Sequence, residues 1–278
     1  MREREPEYHR RTLSQWLTIY RSSETPQWLR EEATVAIRAT APKAFSLLIK
    51  RASKNRSPAK EWAADFLVKH PTIHKCIPKS FVTWAIKPPD ETRSNEARLG
   101  LMLLGQDAAP AIPQLLQLTF GSPARRSTCW AIEALGDIGP LALPALLTIV
   151  TSPSAPCRAA APRQIARFGT NASAALPTLI GLLKDTNDIQ LTYSSADAIG
   201  TMASNPDLSV PALAHCLESP DRTLRILAVN NLLSFGPEAH RAIPALINAL
   251  AGETDDATRN TYLLILRKLD KTVVTPVP

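Results

Sequence analysis

His70, His74 and Cys76 form an H-x3-H-x-C string, and imidazole and thiolate are ligand types that hold zinc. Histidines four apart share one face of a helix, so the spacing itself suits a metal. Pro71 follows His70 directly, however, which sets the two histidines across a helix end, and no fourth ligand stands nearby. The string reads as a loop with two solvated histidines. His215-Cys216 pairs the residue types of a thiol nucleophile and its base. Adjacent helical residues diverge by about 100° and cannot meet, so Cys216 reads as core packing. Asp137, just past Gly136, is a carboxylate where a turn residue or cap is expected. The chain has no glycine-rich phosphate loop, no G-x-S-x-G and no HExxH. No catalytic, metal or cofactor residue is therefore assigned, and no cofactor or small-molecule substrate is expected.

Basic side chains offer a different chemistry, the holding of anions. Arg125, Arg158 and Arg225 each lie eleven residues before a glycine (Gly136, Gly169, Gly236). Stacked copies would align them along one edge, although a solvated helix start is the plainer reading. Lys50, Arg51, Lys54, Arg56 and Lys60 cluster in a region that also holds Trp16, Trp28 and Trp62. Cations interleaved with aromatics can contact phosphates and stack on bases. The tryptophans fall at amphipathic spacings that read as core, and Glu24, Glu31, Glu32 and Glu61 interrupt the patch. The net charge of +7 is uneven: residues 1–105 hold 19 Lys/Arg against 11 Asp/Glu, and the remainder is nearly balanced.

These residues must sit on some scaffold, and the prolines reveal it. An aliphatic residue followed by Pro recurs at Ile77-Pro78, Ile112-Pro113, Leu143-Pro144, Leu176-Pro177, Val210-Pro211 and Ile243-Pro244. The Pro-to-Pro spacings are 35, 31, 33, 34 and 33, the signature of a repeat architecture. An apolar residue followed by Gly precedes five of them, at Gly105, Gly136, Gly169, Gly200 and Gly236. Each Gly is expected to end a first helix (A) in a left-handed turn. Pro113, Pro144, Pro177, Pro211 and Pro244 are then expected to open a second helix (B). Ser57-Pro58, Ser122-Pro123, Ser152-Pro153 and Ser219-Pro220 read as N-caps of helix A.

A degenerate copy runs from Ala36 to Ile49, with Arg38 in place of Gly and Ser46 in place of Pro. Thr12–Tyr20 predicts one amphipathic helix carrying Leu13, Trp16, Leu17 and Tyr20 on one face, and Thr258–Leu269 a capping helix. The four cysteines lie far apart in apolar helical patterns and read as reduced core thiols. No apolar run is long enough to span a bilayer. As written the chain reads as cytoplasmic, and a chain trimmed of a signal or anchor would read the same. The organisation expected is a charged segment with one helix over 1–25, two degenerate basic repeats over 26–90, five well-formed repeats over 91–254, and a cap and tail over 255–278. The fold class is all-α, an α-solenoid of about seven helix pairs.

The runs AIEALGDIGPLALPALLTIV (131–150) and FGPEAHRAIPALINAL (235–250) resemble the short HEAT-like repeats of bacterial proteins, including the phycobilisome-lyase type. The resemblance implies a superhelix whose concave face, lined by one helix of each pair, binds a protein partner. The chain is accordingly expected to be a non-enzymatic protein-interaction scaffold. The alternatives are a nucleic-acid-binding HEAT-like protein using the basic third, and a lyase or chaperone-like partner of the phycobilin-lyase type.

Overall fold

The computed structural model describes residues 5–54, 62–63, 66–67, 78, 80, 91–121, 125–185 and 187–269. His70, His74, Cys76, Arg56, Lys60, Ser57-Pro58 and Ser122-Pro123 lie outside them. Contacts divide the chain into two compact units, Met1–Ala145 with Ser154–Cys157, and Leu146–Pro153 with Arg158–Pro278.

The first unit opens with an antiparallel hairpin, β1 (Glu7–Tyr8) and β2 (Arg11–Thr12). Its turn places His9 and Arg10 at positive φ. Helix α1 (Leu13–Arg21) begins in a capping box, with Thr12 and Gln15 bonding each other's backbone N–H. Leu13, Trp16 and Leu17 are buried, as their spacing predicts, and the Trp16 indole N–H donates to the Tyr8 carbonyl. Helices α2 (Gln27–Ala39) and α3 (Ala41–Lys54) follow. Thr40 joins them in right-handed backbone, so no turn stands at Arg38, and Pro42 rather than Ser46 occupies the opening position of helix B. Ala44 and Leu48, two and six residues on, are fully buried in the register of the later repeats.

Pairs then recur with A and B helices in alternation. In the first unit α4 (Glu91–Leu104) leads to α5 (Ile112–Gly121), and α6 (Arg125–Ile138) leads to α7 (Leu143–Thr151), which runs into the second unit. The second unit continues with α8 (Ala161–Ala166), α9 (Leu176–Leu182), α10 (Ile189–Met202), α11 (Pro206–Cys216), α12 (Arg222–Leu232), α13 (Ile243–Gly252) and the closing α14 (Asp256–Leu269). A helices stack on A helices (α4 on α6; α8 on α10, α12 and α14 in turn). B helices stack on B helices (α9 on α11 on α13), and α3, α5, α9, α11 and α13 each pack against the next A helix. This nearest-neighbour stacking is that of an all-α solenoid, in which each pair buries its apolar faces only against its neighbours. No helix of the described residues is long and apolar enough to cross a membrane.

The A-to-B connections are 3-10 turns over Gly105–Ala111, Pro140–Ala142, Gly169–Ala175 and Leu233–Ala242. Buried alanines plug them: Ala108 and Ala111, Ala142, Ala172 and Ala175, Ala239 and Ala242. Gly105, Gly169 and Gly236, each eight residues before the helix-B proline, have φ of 52°, 55° and 54° and reverse the chain as expected. Gly136 and Gly200 do not. Both lie inside helices, and the left-handed residues of their repeats are Gly139 (φ 103°) in one and Ala203 (φ 44°) with Asn205 (φ 45°) in the other. Ala203 stands eight residues before Pro211, so it holds the turn position that glycine takes elsewhere.

Pro113, Pro144, Pro177 and Pro244 are each the second residue of a B helix. Pro211 instead lies inside α11, which Pro206 opens a turn earlier. The Ser-Pro expectation is also corrected. Asp221, not Ser219, caps α12 by accepting from the Thr223 N–H, and Ser152-Pro153 lies ahead of a seven-residue approach to α8. Ser219 shapes the preceding turn, its hydroxyl accepting from the Asp221 N–H. The thiol expectation fails too. Cys129 on α6 and Cys157 are disulfide-bonded, with Cα atoms 5.6 Å apart, because the turn after α7 brings Cys157 back onto α6.

Candidate functional site

Within the repeats the charged side chains are concentrated on the A helices, and several bond to neighbouring repeats. Arg98 donates to Glu133 and Asp137 at 2.6 Å each, and the Asp137 carboxyl is 2% exposed. The residue read as a turn is thus an ion-pair partner. In the second unit, aspartates at the start of successive A helices hold two ligands each. Asp188 caps the Leu191 N–H and accepts from Arg158 at 2.9 Å. Asp221 caps the Thr223 N–H and accepts from the Tyr193 hydroxyl. Asp255 takes the Thr258 N–H at 2.8 Å and Arg222 at 2.6 Å. Hydrogen bonds from Thr258, its hydroxyl first, hold the Asp255 carboxyl below its ordinary range. Every one of these inter-repeat donors comes from the repeat before.

Two of the three evenly spaced arginines belong to this system. Arg158 is 14% exposed between Asp185 and Asp188. Arg225 is 18% exposed and binds Glu253 at 2.7 Å and the carbonyls of Ser219 and Pro220. Arg125 opens α6. Lys50 is exposed on α3, which also carries Arg51 and Lys54. Of the nearby tryptophans only Trp16 is core. Trp28 and Trp62 are 65% and 66% exposed, and Trp62 stacks on Phe66. Their amphipathic spacing records which residues share a face and leaves open which face is covered.

The B helices present a different surface. In each, the proline and the residues four and seven positions later are exposed: Pro113, Gln117, Phe120; Pro144, Thr148, Thr151; Pro177, Gly181, Lys184; Pro211, His215, Glu218; Pro244, Asn248, Ala251. The spacing is that of one helical stripe, opposite the buried Leu115, Leu146, Leu179, Leu213 and Leu246. Lys184 and Glu218 are the two fixed charges among these positions, both at the far end. Between α11 and α13 the stripe dips into a shallow groove floored by Pro211, Ala214 and Ala245, with Glu218 and Arg241 at its rim. Arg241 is held there by Asp207 and Glu238. His215 faces Glu218 at 3.1 Å in solvent, whereas Cys216 is buried and burial pushes its thiol up to about 11. The two side chains diverge as adjacent helical residues must. Among the described residues no group of three His, Cys, Asp or Glu side chains is arranged to hold a metal ion.

A family model described as HEAT repeats matches residues 112–200. No curated protein matches the chain in sequence. Among solved structures, the chain is similar to the karyopherin Kap121p bound to the extreme C-terminus of the protein phosphatase Cdc14p, and to the same karyopherin bound to the SUMO protease Ulp1p. Each likeness has a TM-score of 0.51 and 13% identity, and covers 93% of this chain. The chain spans 29% of the length of those karyopherin chains, and the likeness is one of fold. The stacked helix pairs and proline-opened B helices are those of an α-solenoid, and its residues 112–200 match HEAT repeats.

Proposed function

We propose that this protein is a non-enzymatic protein–protein interaction scaffold and that, within each unit, the contact surface is the exposed stripe of that unit's own B helices. The observation that carries the reading is the contrast between the faces. Arg98, Glu133, Asp137, Arg158, Arg222 and Arg225 of the A helices are engaged in repeat-to-repeat bonds, while Arg163, Arg167, Asp197, Arg267 and Lys268 keep the A helices charged at the surface; the exposed B stripe carries two fixed charges, Lys184 and Glu218. Interface cores are depleted of charge in the same way. The karyopherin of similar fold was solved bound to the extreme C-terminus of a protein phosphatase and to a SUMO protease, which supports a protein partner for this chain.

The test introduces charge on the stripe without touching the core, in the triple variant Gln117→Glu, Thr148→Glu, Asn248→Glu. Partners are captured from the source extract on the wild-type and variant chains in parallel. A partner retained by the wild type and lost by a variant of unchanged circular dichroism is the expected result. Partners held equally by both would remove the stripe as the contact surface.

Trp28 and Trp62, exposed in the basic third, favour a second reading, nucleic-acid binding through Lys50, Arg51, Lys54, Arg56 and Lys60. Fluorescent duplex and single-stranded DNA and RNA at low and physiological salt separate the two. Salt-sensitive binding abolished by charge reversal of Lys50, Arg51, Lys54 and Arg56 would put nucleic acid first.

A further inference from the structure

One repeat departs from the others. Its helix A is the six-residue α8, preceded by a 3-10 turn over Arg158–Ala160, whereas α6, α10 and α14 each have 14 residues. Pro153 and Pro156 account for the difference, since each lacks an N–H donor and biases the preceding residue away from helical backbone, and the helix opens only at Ala161 with Pro162 as its second residue. Residues 152–157 consequently carry neither helix nor strand, and Ala155 is their single buried side chain. Cys157 sits at φ 59°, a left-handed conformation unfavourable for a side-chain-bearing residue. In this irregular segment Cys157 is joined to Cys129, 28 residues away on α6.

The surroundings hold without that bond. Helix α6 is fixed by the burial of Trp130, Ala131, Ile132 and Leu135 and by its packing on α4 and α5. On the other side, Arg158 is anchored by Asp185 and Asp188. Both bonded cysteines are half-buried, within reach of a small thiol, unlike the core thiol of Cys216. We propose that Cys129–Cys157 is a reversible oxidation site, formed by exchange with a small-molecule disulfide, that latches residues 154–157 onto α6. One cysteine thiolate attacks a sulfur of glutathione disulfide and expels a glutathione thiolate, leaving a mixed disulfide. The second cysteine gives its proton to solvent and displaces the second glutathione. Two electrons pass from the cysteine sulfurs to glutathione, and one protein disulfide and two glutathione thiols result. This site stands independently of the scaffold reading.

The full chain is equilibrated in glutathione buffers from oxidised to reduced, then analysed by peptide mass mapping and hydrogen–deuterium exchange. The cross-linked peptide pair is expected in the oxidised buffers. On reduction, amides within 154–160 should exchange roughly tenfold faster or more, while α6 and α10 keep their protection. Cys129→Ser and Cys157→Ser should show the fast exchange in every buffer, and Cys216→Ser should respond like the wild type. Failure to form the cross-link in excess glutathione disulfide would overturn the proposal. So would equal exchange in both states, or a loss of protection throughout the chain, which would mark a structural staple rather than a latch.

Discussion

Ala203 and Gly200 have exchanged the roles their identities advertise. Ala203 bears the left-handed turn at φ 44°, whereas Gly200 is helical and buried because a Cβ there would run into the Asn231 side chain. Asn231 uses the space to donate from its amide nitrogen to the Ala196 carbonyl at 3.1 Å. Ala203→Gly should therefore raise stability by about 0.5–1 kcal/mol, by relieving the left-handed strain. Gly200→Ala should lower it by about 1–3 kcal/mol through overpacking. Urea denaturation of both variants checks the signs, and a stabilising Gly200→Ala would contradict the close approach. Glu253 adds a pH dependence. The hydrogen bond from Arg225, then those of the Asp255 and Thr254 N–H groups, hold its carboxyl below the ordinary range. A depressed carboxyl stabilises the fold above its unfolded pKa, about 4.3, and that contribution is lost as pH falls through the lower folded value. Thermal melts from pH 6 downward should fall less steeply for Glu253→Gln than for the wild type over that acid window. At this scale the sequence was read correctly where a residue has one dominant use. Pro113, Pro144, Pro177 and Pro244 open helices because proline does little else there. Glycine has two uses, the left-handed turn and the close approach, and Gly200 took the second. Cys129 and Cys157 lie in apolar company, and the turn that pairs them is a tertiary event without a local mark.

The elements repeat faithfully where buried spacing decides them and diverge where caps do. The B helices were legible from proline and the leucine two residues on, and the first and last helices from their amphipathic faces. The A-helix starts were not. Ser-Pro is the visible signal, yet in α12 the cap falls to Asp221, and the equivalent aspartates Asp188 and Asp255 begin α10 and α14 with no Ser-Pro before them. These carboxylates do two jobs, completing a helix N-terminus and receiving a donor from the preceding repeat. Asp255→Ala removes both the Thr258 cap and the Arg222 pair, and should lower the melting temperature, mostly through loss of the cap. Asp255→Asn, which keeps a capping oxygen, should recover most of the loss in the same melt. Equal losses for the two variants would transfer the weight to the ion pair.

Across the whole molecule, stability is distributed along a series of neighbour contacts. Leu115 is fully buried in the first unit, so Leu115→Ala should cost about 2–5 kcal/mol there. Hydrogen–deuterium exchange should show α4, α5 and α6 losing protection while α12, α13 and α14 retain theirs. Uniform loss would mean a single cooperative unit. The division into two units was not legible in the repeat spacing, because it falls at α7, where the period itself continues undisturbed. The candidate surface was legible only in part. The proline register marks the positions of the B stripe, but its low charge becomes meaningful only once Arg98, Arg158, Arg222 and Arg225 are seen to be engaged by neighbouring repeats.

The bonds that carboxylates accept between A helices run one way, whereas Asn231 donates back to the Ala196 carbonyl and, off the A helices, Arg241 donates back to Asp207. Arg98 reaches Glu133 and Asp137, Arg158 reaches Asp185 and Asp188, Tyr193 reaches Asp221, Arg222 reaches Asp255, and Arg225 reaches Glu253. In every case the donor is synthesised before its acceptor. As the chain leaves the ribosome, each completed helix pair already displays the cation or phenol that will receive the next one, and the newest aspartate finds its partner waiting. The array is thereby suited to grow in the direction of translation, each arriving repeat docking onto a finished template rather than searching for one still to come.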